Sequence, residues 1–563
     1  SGGIGLTTTV NIDAATSANL TTSGNAAAGN IAIAVPTPWN AATTFTTNGT
    51  GTQQIVVSAS GGGALAIGAD LNAGTDDLFV TADGITLTSG HTLSGADVGL
   101  FGGTGTVALA GSINAPAGTV WLEGTGISQT AGIITANKLG ARSTGTTSGD
   151  TISLSQGNTV TTFGAANAAG GGNIAITTSG GATVDAVAAV KPTGVVTTDI
   201  TDTLSNGANI TLQSGGTLIV TANINAGAGD ASLTTTAGNI DGSGLVTAAN
   251  VLAHAKGKIA DLDVAIGTGT LALTTDGAAA GGSILATIQG NFSTSQLATL
   301  ALTGGGTSSV ELIANGNFTI DSTVALGTSS FFVLGDGVSE TAAGAVTAGA
   351  LGINASAGVS IGGSNTIGTS FESAGTTFAL TGTGSISAPA ISIDHTGDVT
   401  LAGTLDATPA GAVNILGTTI EQSGGAITAG TLVAKASSAG PGAVGILLPQ
   451  TNHVGLAALT SAVLNGTITL ISDQPLTVGD GNSGFTGTVS GVTSADGAIN
   501  LAGAGVLLND VVNAGTAAVD IAGSGGITGA ATVTGTDVTL TSGPDGGIGS
   551  LVTPVNVDAS TSL

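Results

Sequence analysis

Cysteine, methionine and tyrosine are missing altogether, aromatic residues make up 2% of the 563 positions, and charged residues only 7%. Without cysteine there is no disulfide framework, a usage that fits a secreted bacterial surface protein. With so few aromatics, the chain lacks the side chains that fill the irregular volumes of a globular core. Six basic residues (Lys138, Arg142, Lys191, Lys256, Lys258 and Lys435) stand against 33 acidic ones, for a formal charge of −27. No patch of such a chain neutralises a run of phosphates, which argues against nucleic acid and against anionic membrane surfaces as partners. No run reaches the about 18 consecutive apolar residues of a membrane-spanning helix, so no membrane insertion is expected. Disorder is excluded too. Hydrophobic residues are 41% of the chain and mean hydropathy is +0.49, the reverse of what keeps a chain unfolded.

What the chain does have is glycine, 97 residues of it, and a recurring phrase. Leu218–Ile240 holds two short runs of alternating aliphatic residues, each followed by a turn of small residues. The same skeleton returns at Leu65–Ile85, Val107–Ile127, Phe318–Val338, Val399–Ile420 and Val506–Ile527, closing 20 to 22 positions after it opens. Period-2 alternation without a helical phase, in units of that length, predicts an all-β fold: a parallel β-solenoid with about 21 residues per coil. Stacked Val, Ile, Leu and Ala suffice for its core, because each layer copies the one below. A coil rise of about 4.8 Å then allows about 27 coils before loops are subtracted. In five of the six copies an Asn or Asp precedes a turn, and Asn72, Asn114, Asn225, Asp406 and Asn513 are expected to bond turn backbone as structural turn residues.

A second phrase follows the first. GISQTAGIITANKLGAR (Gly126–Arg142) returns as TIEQSGGAITAGTLVAK (Thr419–Lys435), and more loosely at Asn239–Lys256 and Val338–Ala355. Pro36, Pro38 and Trp39 interrupt the strands, and their segment is expected to loop out of the stack, since proline cannot donate into a ladder, with Trp39 packed over a coil. Gly164–Gly172 and Asp276–Gly282 read as turns or short excursions, and Ser437–Gly455 as a longer loop. No composition shift marks a linker, so residues 1–563 are expected to form one continuous shaft. Gly546–Leu563 resembles Gly2–Leu20, which points either to an internal segment of a longer repetitive protein or to subunits stacking end to end. The opening SGGIGL carries neither Met nor a signal sequence, so a processed product or excised piece is expected.

The two phrases, INAGAGDASLTTTAGNI and IEQSGGAITAGTLVAK, resemble the repeats of large exoproteins of the filamentous-haemagglutinin type, exported by two-partner secretion, with autotransporter passengers as relatives. The likeness covers most of the chain and is clearest at 61–145, 205–275 and 395–563. It implies a right-handed parallel β-helix on the bacterial outer surface or secreted, serving adhesion, aggregation or biofilm. It also implies a receptor or glycan on a host or neighbouring cell as partner. The amino-terminal secretion domain of that family has no match here, which makes the chain an internal shaft segment.

Parallel β-helices also include polysaccharide lyases and hydrolases. Lyases on acidic sugars need a cation at the cleaved bond, and six scattered basic residues do not supply one. Hydrolases need paired carboxylates. Asp76/Asp77, Asp199/Asp202, Asp261/Asp263 and Asp394/Asp398 are close in sequence, but none lies in an aromatic-rich stretch, and solvated turns are expected. His91, His254, His395 and His453 are isolated, and Asp394-His395 lacks a recognisable nucleophile. Asp480 and Asn482 in GDGNSG are a weak Ca²⁺ candidate without the acidic ligands that complete an EF-hand loop. Glycosylation sequons stand at Asn19, Asn48, Asn209, Asn291, Asn317, Asn354 and Asn465. Thr-x-Thr is not kept at one coil position, which argues against an ice-binding face. The expectation is a shaft with neither cofactor nor catalysis. The rivals are a self-polymerising extracellular filament and, more remotely, a polysaccharide-active enzyme.

Overall fold

The structure, a computed structural model, describes residues 10–11, 17–22, 30–47, 51–168, 170–193, 195–204, 207–277, 282–302, 308–437, 444–483 and 487–562. It is 60% strand and 1% helix, a parallel β-solenoid of about 24 turns with coils about 21 residues apart. The chain divides into two compact units, Ser1–Gln289 with Gln296–Gly305, and Gly290–Ser295 with Gly306–Leu563. Among the described residues no helix is long and apolar enough to cross a membrane.

One coil shows how the sequence produces the fold. Leu218–Val220, Ile224–Asn225 and Ala231–Thr235 are three short strands separated by turns. Their alternate residues (Leu218, Val220, Ile224, Ala231 and Leu233) are buried, and those between face outward, as a period of two requires. The next coil repeats them in register: Leu218 lies beside Ile240, Ile224 beside Val246 and Ala231 beside Val251. Each aliphatic side chain thus sits on its counterpart, and each such burial stabilises by roughly 1.5–3 kcal/mol. Among the described residues the ladders are parallel, except for the hairpin Asp480–Ser483 with Gly487–Ser490 and a bridge between Val187 and Ile200.

Three segments depart from the sequence reading. The segment at Trp39 does not loop out: the ring is buried, as expected, but the backbone pairs with Ile67, its N–H donating to Ala66 O at 2.8 Å. The prolines flank that contact and leave the ladder amide to Trp39. Within Gly164–Gly172, Gly164 continues the strand Ile152–Asn167 and pairs with Gly140. In the expected long loop only 438–443 lies outside the described residues; Ile446–Ser461 is a strand of 16 residues. Its Asn452 side chain donates to Leu448 O and Gln450 O, so a residue that reads as a breaker satisfies the bend from inside. Of Asp276–Gly282, residues 278–281 lie outside the described residues, as do 1–9 and Leu563 at the ends and Asn48 among the sequons.

Candidate functional site

The chemistry of this chain sits in polar groups placed where coils meet. Asn72, Asn225, Asp406 and Asn513 each accept through Oδ1 the amide of the residue two on: Gly74 at 2.9 Å, Gly227 at 2.9 Å, Thr408 at 3.0 Å and Gly515 at 2.9 Å. The residue receiving this Asx turn has φ near +60° in every case, which glycine adopts freely and the β-branched Thr408 does not. Asn114 stands apart, inside the strand Ser112–Gly124 between Ser94 and Thr135.

Other Asx residues bond along the stacking direction. Asp70 Oδ1 accepts from Thr92 N at 2.8 Å, Asp97 from Thr119 N at 2.6 Å, and Asp496 from Thr516 N at 2.8 Å, each about one coil on. The sequon residues Asn209, Asn291 and Asn317 do the same for Asp230 N, Asn317 N and Gly337 N. Much of the acidic and amide content is therefore tied to backbone, where the sequence suggested solvated turns.

Some of the carboxylate pairs are bonded in the same way. Asp76 is buried and accepts from Thr47 Oγ1 at 2.6 Å and Gln53 N at 3.0 Å. Its neighbour Asp77 is pushed up to about 6, first by burial and then by Asp97 and Asp76. Asp199 accepts from Ala189 N and Asp202 from Asn223 N. Burial, with Asp263 and Asp241 nearby, raises Asp261. Asp398 is held low by hydrogen bonds from Thr418 and Thr419.

Three histidines that look isolated in sequence meet an aspartate about one coil away. His91 lies 3.6 Å from Asp70, His453 2.5 Å from Asp473, and His254 3.1 Å from Asp276, which Lys256 also reaches at 3.2 Å. His395 differs. It is buried, its ring centroid 5.4 Å from that of Phe378, and Nε2 shares a 2.9 Å hydrogen bond with buried Ser373 Oγ. A hydroxyl partner absent from the sequence reading is thus present. Yet Nδ1 has no hydrogen-bond partner, and both side chains are buried. Burial lowers the His395 pKa to about 4.

Asp480 and Asn482 lie on the hairpin, facing Ser490 and Thr488. The Asp510 carboxyl beside it holds Asp480 below the usual carboxylate range, while Asp480 and burial push Asp510 up. Among the described residues no three His, Cys, Asp or Glu side chains cluster as metal ligands.

Sequence reasoning missed two arrangements. The first is a corner amide pair inside the coil. Gln129 Nε2 donates to Asn158 Oδ1 at 2.8 Å, and Asn158 Nδ2 donates back to Gln129 Oε1 at 3.0 Å. Gln422 and Asn452 repeat it at 2.9 and 3.1 Å. In a third copy Glu340 replaces the glutamine, and Asn365 Nδ2 donates to its Oε2 at 2.8 Å. The shared Gln, third in ISQ and IEQ, was the available signal.

The second arrangement is a strap. Phe79 and Trp121 point outward, each over a glycine of the next coil. A methyl group at Gly99 would sit 2.8 Å from Phe79 Cδ1, and one at Gly140 2.3 Å from Trp121 Cε3. Val187 and Ile200 close over them, with Phe101 in the same cluster. Arg142 donates to Thr198 O at 3.0 Å, Lys191 Nζ donates to Thr197 O at 3.2 Å, and Glu123 accepts from both Trp121 Nε1 and Thr197 Oγ1. Comparison with known protein families, with curated proteins and with solved structures finds no match to this chain.

Proposed function

We propose that this chain is a non-catalytic shaft: the load-carrying, repetitive part of a secreted or cell-surface bacterial exoprotein of the adhesin type. One observation carries the reading. Coil follows coil in register, and many of the polar side chains that might do chemistry are engaged on turn backbone, on the next coil or on each other. A body of this kind extends by adding coils and loses little when some are removed. Its role is then to hold a binding element away from a surface, in adhesion, aggregation or biofilm.

Surface display tests this. Cells carrying the whole protein are expected to aggregate or adhere, and a version shortened by an integral number of coils should keep folding while its adhesion changes with reach. Equal adhesion by cells lacking these residues would remove the role. Turnover of acidic polysaccharides by the purified chain would favour an enzyme instead.

A second reading is a filament built end to end, with a second copy as partner. It draws on the outward-facing Ile548, Leu551 and Val552 beside the strand Asn556–Ser562, and on the likeness of Gly546–Leu563 to Gly2–Leu20. Electron microscopy of the purified chain separates the two. Concentration-dependent fibres support stacking, and single particles at all concentrations oppose it.

A further inference from the structure

Phe332 occupies the coil position of Phe79 and Trp121. All three follow the opening residue of their copy (Phe318, Leu65 and Val107) by fourteen places. It has the same glycine partner, since a methyl group at Gly352, its ladder neighbour, would sit 2.6 Å from Phe332 Cδ1. The difference lies above the ring. Phe79 is 1% and Trp121 0% exposed beneath the strap, whereas Phe332 is 39% exposed.

Around Phe332 runs a groove of about 670 Å³, with Leu334 and Gly352 along it and Glu311, Glu372 and Asp394 as its carboxylates. Glu311 pairs with Phe332 in the ladder, and Glu372 with Gly352, so the aromatic lies between acidic neighbours in the stacking direction. None of the ion pairs among the described residues involves these three carboxylates.

Elsewhere this outward row is covered by polypeptide. In the first unit the strap lies across it through Val187 and Ile200. In the second, further along from Glu372 through Ser392, Asn414, Val433 and Ala458, the hairpin residue Val489 packs on Val433 and Ala458. Under the strap the carboxylate of Glu123 has partners supplied by this chain and Arg142 as its ladder neighbour. At Phe332 the described residues supply neither cover nor cation.

We infer that the Phe332 groove docks an extended segment of a partner protein in which apolar and basic residues alternate. An extended strand directs successive side chains to opposite sides. Its apolar residues would lie on Phe332 and Leu334 in the place Val187 and Ile200 take over Phe79 and Trp121. Its lysines or arginines would meet Glu311, Glu372 and Asp394, and one over the ring face would add a cation–π contact. This goes beyond the shaft reading and does not depend on it, because the groove is testable on the isolated chain whatever the chain does in the cell.

The probe is a fluorescein-labelled peptide of alternating valine and lysine, titrated with the whole chain and followed by anisotropy. Saturable one-to-one binding is expected, weakened on the order of tenfold by Phe332→Ala, weakened likewise by Glu372→Gln with Asp394→Asn, and loosened by salt. Asp520→Asn, which removes an exposed carboxylate on a different ladder, beside Asn500 and Thr539, should leave binding unchanged. Phe332 is exposed, so its variant should melt with the parent, which keeps the comparison interpretable. Absence of binding, equal binding by all variants, or displacement of the peptide by a neutral oligosaccharide such as cellohexaose would overturn the proposal.

Discussion

Gln129 and Asn158 exchange two hydrogen bonds across 29 residues of chain, and the same Asn158 Oδ1 also accepts the amide of Ile134 at 2.9 Å. Gln422, Asn452 and Ile427 repeat the arrangement. The amide pair closes a bend from the inside, and its asparagine oxygen serves the strand amides of Ile134 and Ile427 in place of a backbone carbonyl.

Removing one partner should therefore cost more than the bonds it makes. Asn452→Ala strands the Gln422 amide and the Ile427 N–H, and an unsatisfied buried group costs about 1–3 kcal/mol. Hydrogen exchange at Ile427 should accelerate and the urea midpoint should fall. Replacing Gln422 and Asn452 together with leucine should destabilise less than the single alanine, since the Gln422 amide is then removed with its partner and only the Ile427 N–H stays orphaned. Equal losses would contradict the account.

Glu340 stands where the other two copies have glutamine. It is buried, its Oε1 has no hydrogen-bond partner, and burial raises its pKa above the ordinary glutamate range despite bonds from Asn365 and Gly363. The folded state thus holds the proton more tightly than the unfolded state. Stability from this group is greatest in acid and declines as pH rises from the unfolded pKa through the raised folded one. Glu340→Gln should remove that slope and raise the melting temperature at pH 7. An unchanged pH profile would show that Glu340 titrates as if exposed.

His395 acts in the opposite sense. With a folded pKa of about 4 against 6.5 unfolded, its contribution is complete above about pH 6.5 and is lost as pH falls towards 4, by up to roughly 3 kcal/mol. His395→Gln keeps a partner for Ser373 without a titrating ring, so its melting temperature should vary less over that range. The two substitutions separate opposing trends that overlap in the parent protein.

The strap over Trp121 depends on Gly140. A methyl group there collides with the indole, so Gly140→Ala should lift the strap. The expected readouts are a red shift of Trp121 emission and proteolysis between 189 and 198, with Trp39 as an internal reference because it is buried elsewhere. Wild-type emission with unaltered protease resistance would mean that the ring accommodates the methyl group.

The coil itself was legible because its signal repeats. Leu218, Val220 and Ile224 alternate in sequence as they alternate in burial, and five further copies carry the phrase. Asn452 was not legible, because one polar residue among breakers looks the same whether it faces water or fills a bend. Nor was the strap. Val187 and Ile200 continue no repeat, and Thr197 meets Glu123 across 74 residues, a partner that coil periodicity cannot point to. The Ser373–His395 pair is hidden for a related reason, since its members belong to different coils.

The central claim is that coils stack in register, and spin labels test it directly. The chain has no cysteine, and Thr211, Ser232, Leu252 and Ala272 are successive ladder neighbours, as are Gln213, Thr234, His254 and Thr274. Introduced cysteines, labelled in pairs and measured by electron spin resonance, should give separations that grow by about 4.8 Å per coil, equally in both series. Separations that fail to grow with coil number, or that diverge between the two series as antiparallel strands would make them, would contradict the stacked column and the shaft built on it.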